Sequence, residues 1–364
     1  MTSERVAVLG TGLIGTSVAM AALRAGDEVV VFDPNAAVLE RAVERATGTG
    51  RAESLEACVR SATLTFVCTP VDAVGATAIA ALEAGGDSIV TDVAGVKSQV
   101  TLEVERGSTA ARWSRFVGGH PMGGSERSGP DAASASILDG AVWVLTPGRG
   151  SDPAAVDRLS SWIERIGARP VVMAAERHDR LVAFVSHLPQ VASTALMAVA
   201  AAEEAGEPDI LLLAAGGFRD LTRLAASNPR LWSETLLANR DAIADAIDRY
   251  TKGLLELRDA VAAGLGEEVE SRFAAAKEAR LSLTAKPQVK TGVAVLQVPV
   301  PDRPGVLAEL AAALGASDVN IEDLQIVHSP EGGRGTVHLT VASSAADAAV
   351  GALSDRGYEP LRLA

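Results

Sequence analysis

Aromatic side chains are scarce in this chain, with four Trp, two Tyr and six Phe making up 3% of the residues. A sandwich built on aromatic packing is disfavoured, and the abundant alanine suits helices and α/β layers. Cysteine is nearly absent. Cys58 and Cys68 form no C-x-x-C pair and join no Cys/His cluster, so neither disulfide staples nor a metal site is expected. Positive charge is in deficit, 33 Lys and Arg against 46 Asp and Glu, for a net charge of −13. Nucleic acids and anionic membranes require clustered positive charge, so neither is expected as a partner. Apolar stretches such as "VASTALMAVAAA" (191–202) look too short to span a bilayer. "MTSERVAVLG" passes from charges straight to a strand and a glycine, with no signal-peptide pattern, and a cytoplasmic protein is expected.

What is present falls into three regions, as a length of 364 residues allows. Residues 1–175 alternate continuous apolar runs with helical stretches: "RVAVLG", "EVVVFD", "TLTFVCTP", "SIVTDV", "RFVGGHP", "AVWVLTP" and "RPVVMA" read as strands of a parallel sheet covered on both faces. From 176 to 285 apolar residues recur at three and four, the period of helices, with no strand signal between them. A polar, proline-containing linker, "TAKPQVKTG", leads to residues 291–364. These read strand, helix, strand, strand, helix, strand, a split βαβ unit with "SPEGGRG" as its central turn. The fold class is an α/β Rossmann-type domain, an all-α middle domain and a ferredoxin-like α+β C-terminal domain.

The first strand runs into "VAVLGTGLIGTS", where Gly10, Gly12 and Gly15 have the G-x-G-x-x-G spacing between a strand and a helix. Such glycines allow a tight turn, close approach of a pyrophosphate and packing of helix on strand, with phosphates at the positive helix N-terminus. Asp33 ends the second strand 18 residues after Gly15. A carboxylate there accepts hydrogen bonds from an adenosine ribose and repels a 2′-phosphate, which favours NAD over NADP, with Asn35 and Arg41 as nearby residues able to alter the choice. In a doubly wound sheet the ligand lies outside the carboxyl ends of the strands. "CTP", "DVAGVK" and "HPMGG" end there, which makes Leu13, Ile14, Thr69, Pro70 and Asp92 further candidate cofactor contacts and puts His120 where a nicotinamide and its substrate belong.

The ordered motifs "GTGLIGTS", "DVAGVKS", "GGHPMGGSERSG", "SHLP" and "GGFRDLTRLA" resemble those of the prephenate dehydrogenase family in its form with a C-terminal ACT domain, over essentially the whole chain. The resemblance implies NAD-dependent oxidative decarboxylation of prephenate to 4-hydroxyphenylpyruvate, in tyrosine biosynthesis. It implies His120 as the base that takes the 4-hydroxyl proton, and Arg223 as the clamp on the side-chain carboxylate. Arg219, Asp220 and Glu126 would form an ionic network at the pocket, His187 a pocket histidine and Trp232 a residue reaching the partner subunit's site. His187 reads equally as a buried core histidine, Trp232 equally as a core tryptophan, and His178 as a helix-start residue of no special role. Members often carry serine where this chain has Gly95. Ser98, one turn along, or a water would then take over its support of the base.

The C-terminal unit resembles an ACT domain. Asp302 and Pro304 supply ordinary helix-start chemistry. The resemblance adds an amino-acid site at Asp302, Gly305, Val306, Asn320 and Ile321, with tyrosine as the expected inhibitor. The helical region is expected to form a homodimer interface. Arogenate dehydrogenase is the near alternative. A non-catalytic sensor of NAD and an amino acid is another, and 3-hydroxyacid dehydrogenases are disfavoured because Lys252 and Lys277 sit on periodic, solvated helix faces.

Overall fold

The computed structural model describes residues 3–123, 128–204, 206, 209–284, 293–301, 303–328 and 334–363. Runs of β-branched and apolar residues make eight strands: β1 (Arg5–Leu9), β2 (Glu28–Phe32), β3 (Gly50–Arg51), β4 (Leu64–Val67), β5 (Ile89–Asp92), β6 (Phe116–Pro121), β7 (Val142–Pro147) and β8 (Arg169–Val172). They lie side by side in the order β3-β2-β1-β4-β5-β6-β7-β8. Between and after them run α1 (Leu13–Arg24), α2 (Ala36–Arg45), α3 (Leu55–Val59), α4 (Val71–Ala84), α5 (Ser98–Gly107), α6 (Ala110–Trp113) and α7 (Pro153–Arg165). The strands β4 to β6 are buried almost throughout because each face of the sheet is covered. One buried cluster gathers Phe66, Trp143 and Trp162, and the other Val67, Leu82 and Phe116. Removing any of these aromatics would cost about 3–5 kcal/mol.

The all-parallel expectation is corrected at one pairing, which leaves β7 and β8 running opposite to the other six strands. β7 pairs antiparallel with β6, Val117 opposite Pro147 through Pro121 opposite Trp143, while β7 and β8 are parallel. Among its described residues the β6–β7 connection holds only two 3-10 turns, Pro130–Ala132 and Ala135–Leu138, and no crossover helix. Without a crossover the chain must return in the opposite direction.

A second correction concerns the apolar stretch read as too short. α8 (Ala175–Val182), a π turn (Ala183–His187) and α9 (Leu188–Glu203) form one helix of 29 residues, long and apolar enough by length and composition to cross a membrane. The π turn adjusts the hydrogen-bond ladder just ahead of Pro189, which has no N–H to give. One side of this helix buries His178, Asp179, His187, Gln190 and Ser193, polar groups with hydrogen-bond partners in the protein.

Further helices are α10 (Gly216–Thr222), α11 (Pro229–Ala238), α12 (Arg240–Ala262) and α13 (Gly266–Thr284). Packing divides the chain differently from the three regions expected. Met1–Val199 joins Thr222–Arg249 in one unit, and Ala200–Leu221 joins Tyr250–Ala364 in another. The first unit thus takes in much of the helical region, because α8 bonds to Lys97, Ser98 and His120 while Leu188 and Val191 pack with Leu236 and Ile243.

In the second unit β9 (Val293–Pro301), α14 (Val306–Ala316), β10 (Asp323–His328), β11 (Arg334–Ala342), α15 (Ala346–Ser354) and β12 (Leu361–Leu363) form an antiparallel sheet, order β10-β11-β9-β12, with a core of Leu296, Val298, Leu310, Val337 and Leu353. The "SPEGGRG" turn lies largely outside the described residues. The helix start differs from expectation: Gly305, at φ +91°, is the residue before α14, so Pro304 stays in the loop.

Candidate active site

The glycine loop is shaped by close approaches. Gly10 has φ +93°, and a Cβ there would stand 2.6 Å from the Cys68 carbonyl oxygen; a Cβ on Gly15 would collide with the Gly10 carbonyl. Gly12 differs, since its Cβ direction opens into free space at the N-terminus of α1. An anion can therefore approach that helix end without meeting a side chain. Leu13 and Ile14 form the first turn of α1.

Asp33 accepts from Thr11 N at 2.8 Å and Asn35 N at 2.9 Å, which fixes its carboxylate beside a cavity of about 660 Å³ lined by Pro34, Leu39, Arg51 and Glu53. The Asn35 side chain caps α2 and the Arg41 guanidinium is paired with Asp131, so both side chains are engaged away from Asp33. The buried Thr69 hydroxyl has no hydrogen-bond partner among the described residues, and Pro70 stands at the N-cap of α4. An open helix end, a fixed ribose-type carboxylate and an orphaned hydroxyl at the strand edge fit a dinucleotide.

Asp92 is a correction. It is fully buried, and its oxygens accept from Gly119 N (2.9 Å), Ala94 N (3.2 Å) and the ammonium of Lys97, also fully buried. No part of it remains for a cofactor. Lys97 also donates to the Gly119 carbonyl at 2.7 Å. The pair therefore clamps the backbone immediately before His120.

His120 sits near the end of β6 with its ring half-buried. Its Nδ1 lies 2.8 Å from Nε2 of His178, and Nδ1 of His178 lies 2.8 Å from Oδ1 of Asp179. Asp179 also accepts the backbone N–H groups of Lys97 and Ser98, each at 2.8 Å. Burial raises its pKa, but the bonds from His178 and Ser98 outweigh this and hold it below the usual carboxylate range. Desolvation, reinforced by His178, Lys97 and His187 and opposed by Asp179, holds His120 well below 6.5, so it is a neutral acceptor at neutral pH. On the other side of the ring, a Cβ on Gly95 would be 3.8 Å from Nε2.

Ser98 turns to Asp179 rather than to His120. His178, read from sequence as a helix-start residue without a role, stands between His120 and Asp179. The available signal was the His-Asp pair in a chain with only five histidines.

The same long helix reaches Arg223. Gln190 donates to Leu224 O at 2.8 Å, and Ser193 accepts from Ala225 N at 3.1 Å, which ties down the short turn Arg223–Ala226. Arg223 is exposed on that turn. His187 is buried, and Asn239 donates to it at 3.2 Å and to the Asp179 carbonyl at 2.9 Å. Trp232 stands edge-on to His187, ring centres 6.1 Å apart. Burial lowers His187 to about 4. Arg219 and Asp220 are exposed and fall in the second unit, while Glu126 lies outside the described residues.

In the C-terminal unit Val306 is a core residue, Ile321 packs on that core, and Asn320 donates to Glu322 at 2.7 Å. Asp302 lies outside the described residues. Arg303 grips Glu309 with two bonds of 2.9 Å, and the Tyr358 hydroxyl donates to Glu309 at 2.7 Å.

A doubly wound sheet, a glycine loop with its ribose-side carboxylate and a neutral histidine at the strand ends define an NAD-dependent dehydrogenase. The chain matches the model of the prephenate dehydrogenase nucleotide-binding domain over residues 18–172, that of the prephenate dehydrogenase dimerization domain over 174–275 and that of the ACT domain over 294–357. It is 31% identical to a prephenate dehydrogenase of Bacillus subtilis, over 93% of this chain and 92% of that one. It is 34% identical to a cyclohexadienyl dehydrogenase of Zymomonas mobilis, over 77% and 96%. Among solved structures, a prephenate dehydrogenase from Aquifex aeolicus in complex with hydroxyphenyl propionate and NAD+ shares 27% identity with a TM-score of 0.72, covering 78% of this chain and 99% of that one. A Synechocystis arogenate dehydrogenase shares 30% identity with a TM-score of 0.66, covering 76% and 98%. The chain belongs to the prephenate dehydrogenase family.

Proposed function

We propose that this protein converts prephenate to 4-hydroxyphenylpyruvate and carbon dioxide with NAD as oxidant. The observation that carries the reading is His120, a neutral imidazole at the strand ends with Nδ1 engaged and Nε2 facing Gly95. Gly10, Gly12, Leu13, Ile14 and Gly15 would hold the pyrophosphate, Asp33 the adenosine ribose, and Thr69 and Pro70 the nicotinamide side. Bound there, NAD supplies the hydride acceptor. His120 accepts the 4-hydroxyl proton as the ring carboxylate departs, and aromatisation makes the change strongly downhill. Positioning and one proton acceptor are what the protein has to supply. Arg223 binds the side-chain carboxylate through its planar fork, with Trp232 and His187, edge-on to each other in the same unit, as further substrate residues.

Arogenate, with an amine in place of the keto group, is the second reading, favoured by the likeness to the Synechocystis arogenate dehydrogenase. Tyrosine acting at Gly305, Val306, Asn320 and Ile321, with Asp302, is the proposed feedback signal. A homodimer through the helical region, working in the cytoplasm, completes the proposal. It is supported by the dimerization-domain match and by exposed apolar residues such as Val185, Leu196 and Val199. An absorbance assay at the reduced-nicotinamide band, with prephenate or arogenate and NAD or NADP, tests the core of this. Turnover with prephenate and NAD is expected; none with either substrate would overturn it.

A further inference from the structure

The chain of contacts behind His120 has a chemical direction. Asp179 accepts two backbone N–H groups at the start of α5, which holds its carboxylate as an acceptor. A carboxylate that only accepts makes Nδ1 of His178 the donor. With one hydrogen on that ring, placed on Nδ1, its Nε2 has only a lone pair and can be bonded at 2.8 Å only by an Nδ1–H of His120. The remaining nitrogen of His120, Nε2, has no hydrogen-bond partner among the described residues and lies on the side of Gly95.

We propose that His178, backed by Asp179, is a positioning residue that locks His120 in the Nδ1–H tautomer and so presents Nε2 as the proton acceptor. The proposal rests on the reading of His120 as the base. When Nε2 takes the substrate proton, the O–H bond breaks and an N–H bond forms. His120 becomes an imidazolium, stabilised by its bond to His178, which is itself bonded to the Asp179 carboxylate. No proton moves along the relay, and the new one leaves Nε2 for water after product release. This role is the one a carboxylate alone plays behind a catalytic histidine elsewhere, lengthened here by one imidazole. The opposite arrangement, an imidazolium at His178, would put hydrogen on Nε2 of His120 and leave it unable to accept.

Nitrogen-15 NMR of the full-length protein labelled at histidine reads the tautomer directly. Five histidines keep the spectrum assignable by substitution. A neutral His120 with hydrogen on Nδ1 is expected; hydrogen on Nε2 would overturn the relay. His178→Leu should lower kcat by as much as about 10⁴-fold with KM within a few-fold, the scale of a histidine held in the wrong tautomer. His178→Gln, whose amide oxygen can accept from Nδ1–H, should recover much of that loss. Equal kcat in the Leu, Gln and unsubstituted proteins would overturn it. If His178→Leu does not fold, the NMR result on the unsubstituted protein still decides. An Nδ1–H tautomer together with full turnover in His120→Asn would instead strike the base assignment and leave the hydrogen-bond pattern standing.

Discussion

The sheet side and the helix side of the candidate site are built differently. On the sheet side, the glycine loop, Asp33, Lys97, Asp92 and His120 are held by backbone turns and by bonds such as Lys97 to Asp92, five residues apart. On the helix side, His178, Asp179, Gln190 and Ser193 share one helix and act on residues up to 82 positions away, as Asp179 does on Lys97. The sheet side supplies the reacting groups in place, and the helix side orients them. One continuous helix holds the partners of the proposed base near its start and, past the π turn, the turn that carries Arg223. The two ends of the proposed substrate are therefore registered against a single rigid element.

Breaking the sheet side should be the more damaging. Lys97→Met leaves Asp92 buried without its cation, and about 3–5 kcal/mol of stability should be lost in chemical denaturation. Arg223→Ala removes the proposed charged hydrogen-bonding partner of substrate and should raise KM by roughly 10–10³-fold, with a smaller change in kcat. On the helix side, Gln190→Leu cuts the tie to the Arg223 turn without touching the guanidinium. Losing a buried bond of about 1–3 kcal/mol should appear as a several-fold rise in KM, with NAD affinity unchanged.

Acid should loosen the helix side. An unfolded histidine titrates near 6.5, whereas folded His187 titrates at about 4. Between those values the unfolded chain binds more protons, so stability should be full above pH 6.5 and fall as pH drops toward 4. His187→Gln should flatten that fall in thermal denaturation scans. The smallest effect belongs to Gly95→Ser. Its Cβ meets only ordinary contact distance to His120, and kcat should change less than about tenfold, within the roughly 0.5–1.5 kcal/mol of one added hydrogen bond.

The contrast also explains what was legible. Gly10, Gly12, Gly15 and Asp33 could be read directly because their geometry is local: a positive φ, a close approach and a strand end at fixed spacing. Strand direction could not, because β6 and β7 are both continuous apolar runs and period alone is blind to polarity. Asp92 was misread since its place at a strand end resembles that of a cofactor contact, while its burial by Lys97 depends on tertiary packing. His178 was passed over for the same reason, as its partner is far along the chain. The continuity of the helix through "SHLP" depends on a π turn that apolar periodicity does not reveal.

The most direct measurement is steady-state turnover of His120→Asn beside its NAD affinity by calorimetry. With the acceptor gone and the glycine loop intact, binding should stay within a few-fold while kcat falls by about 10²–10⁴-fold. Near-normal turnover with normal NAD binding would contradict the account.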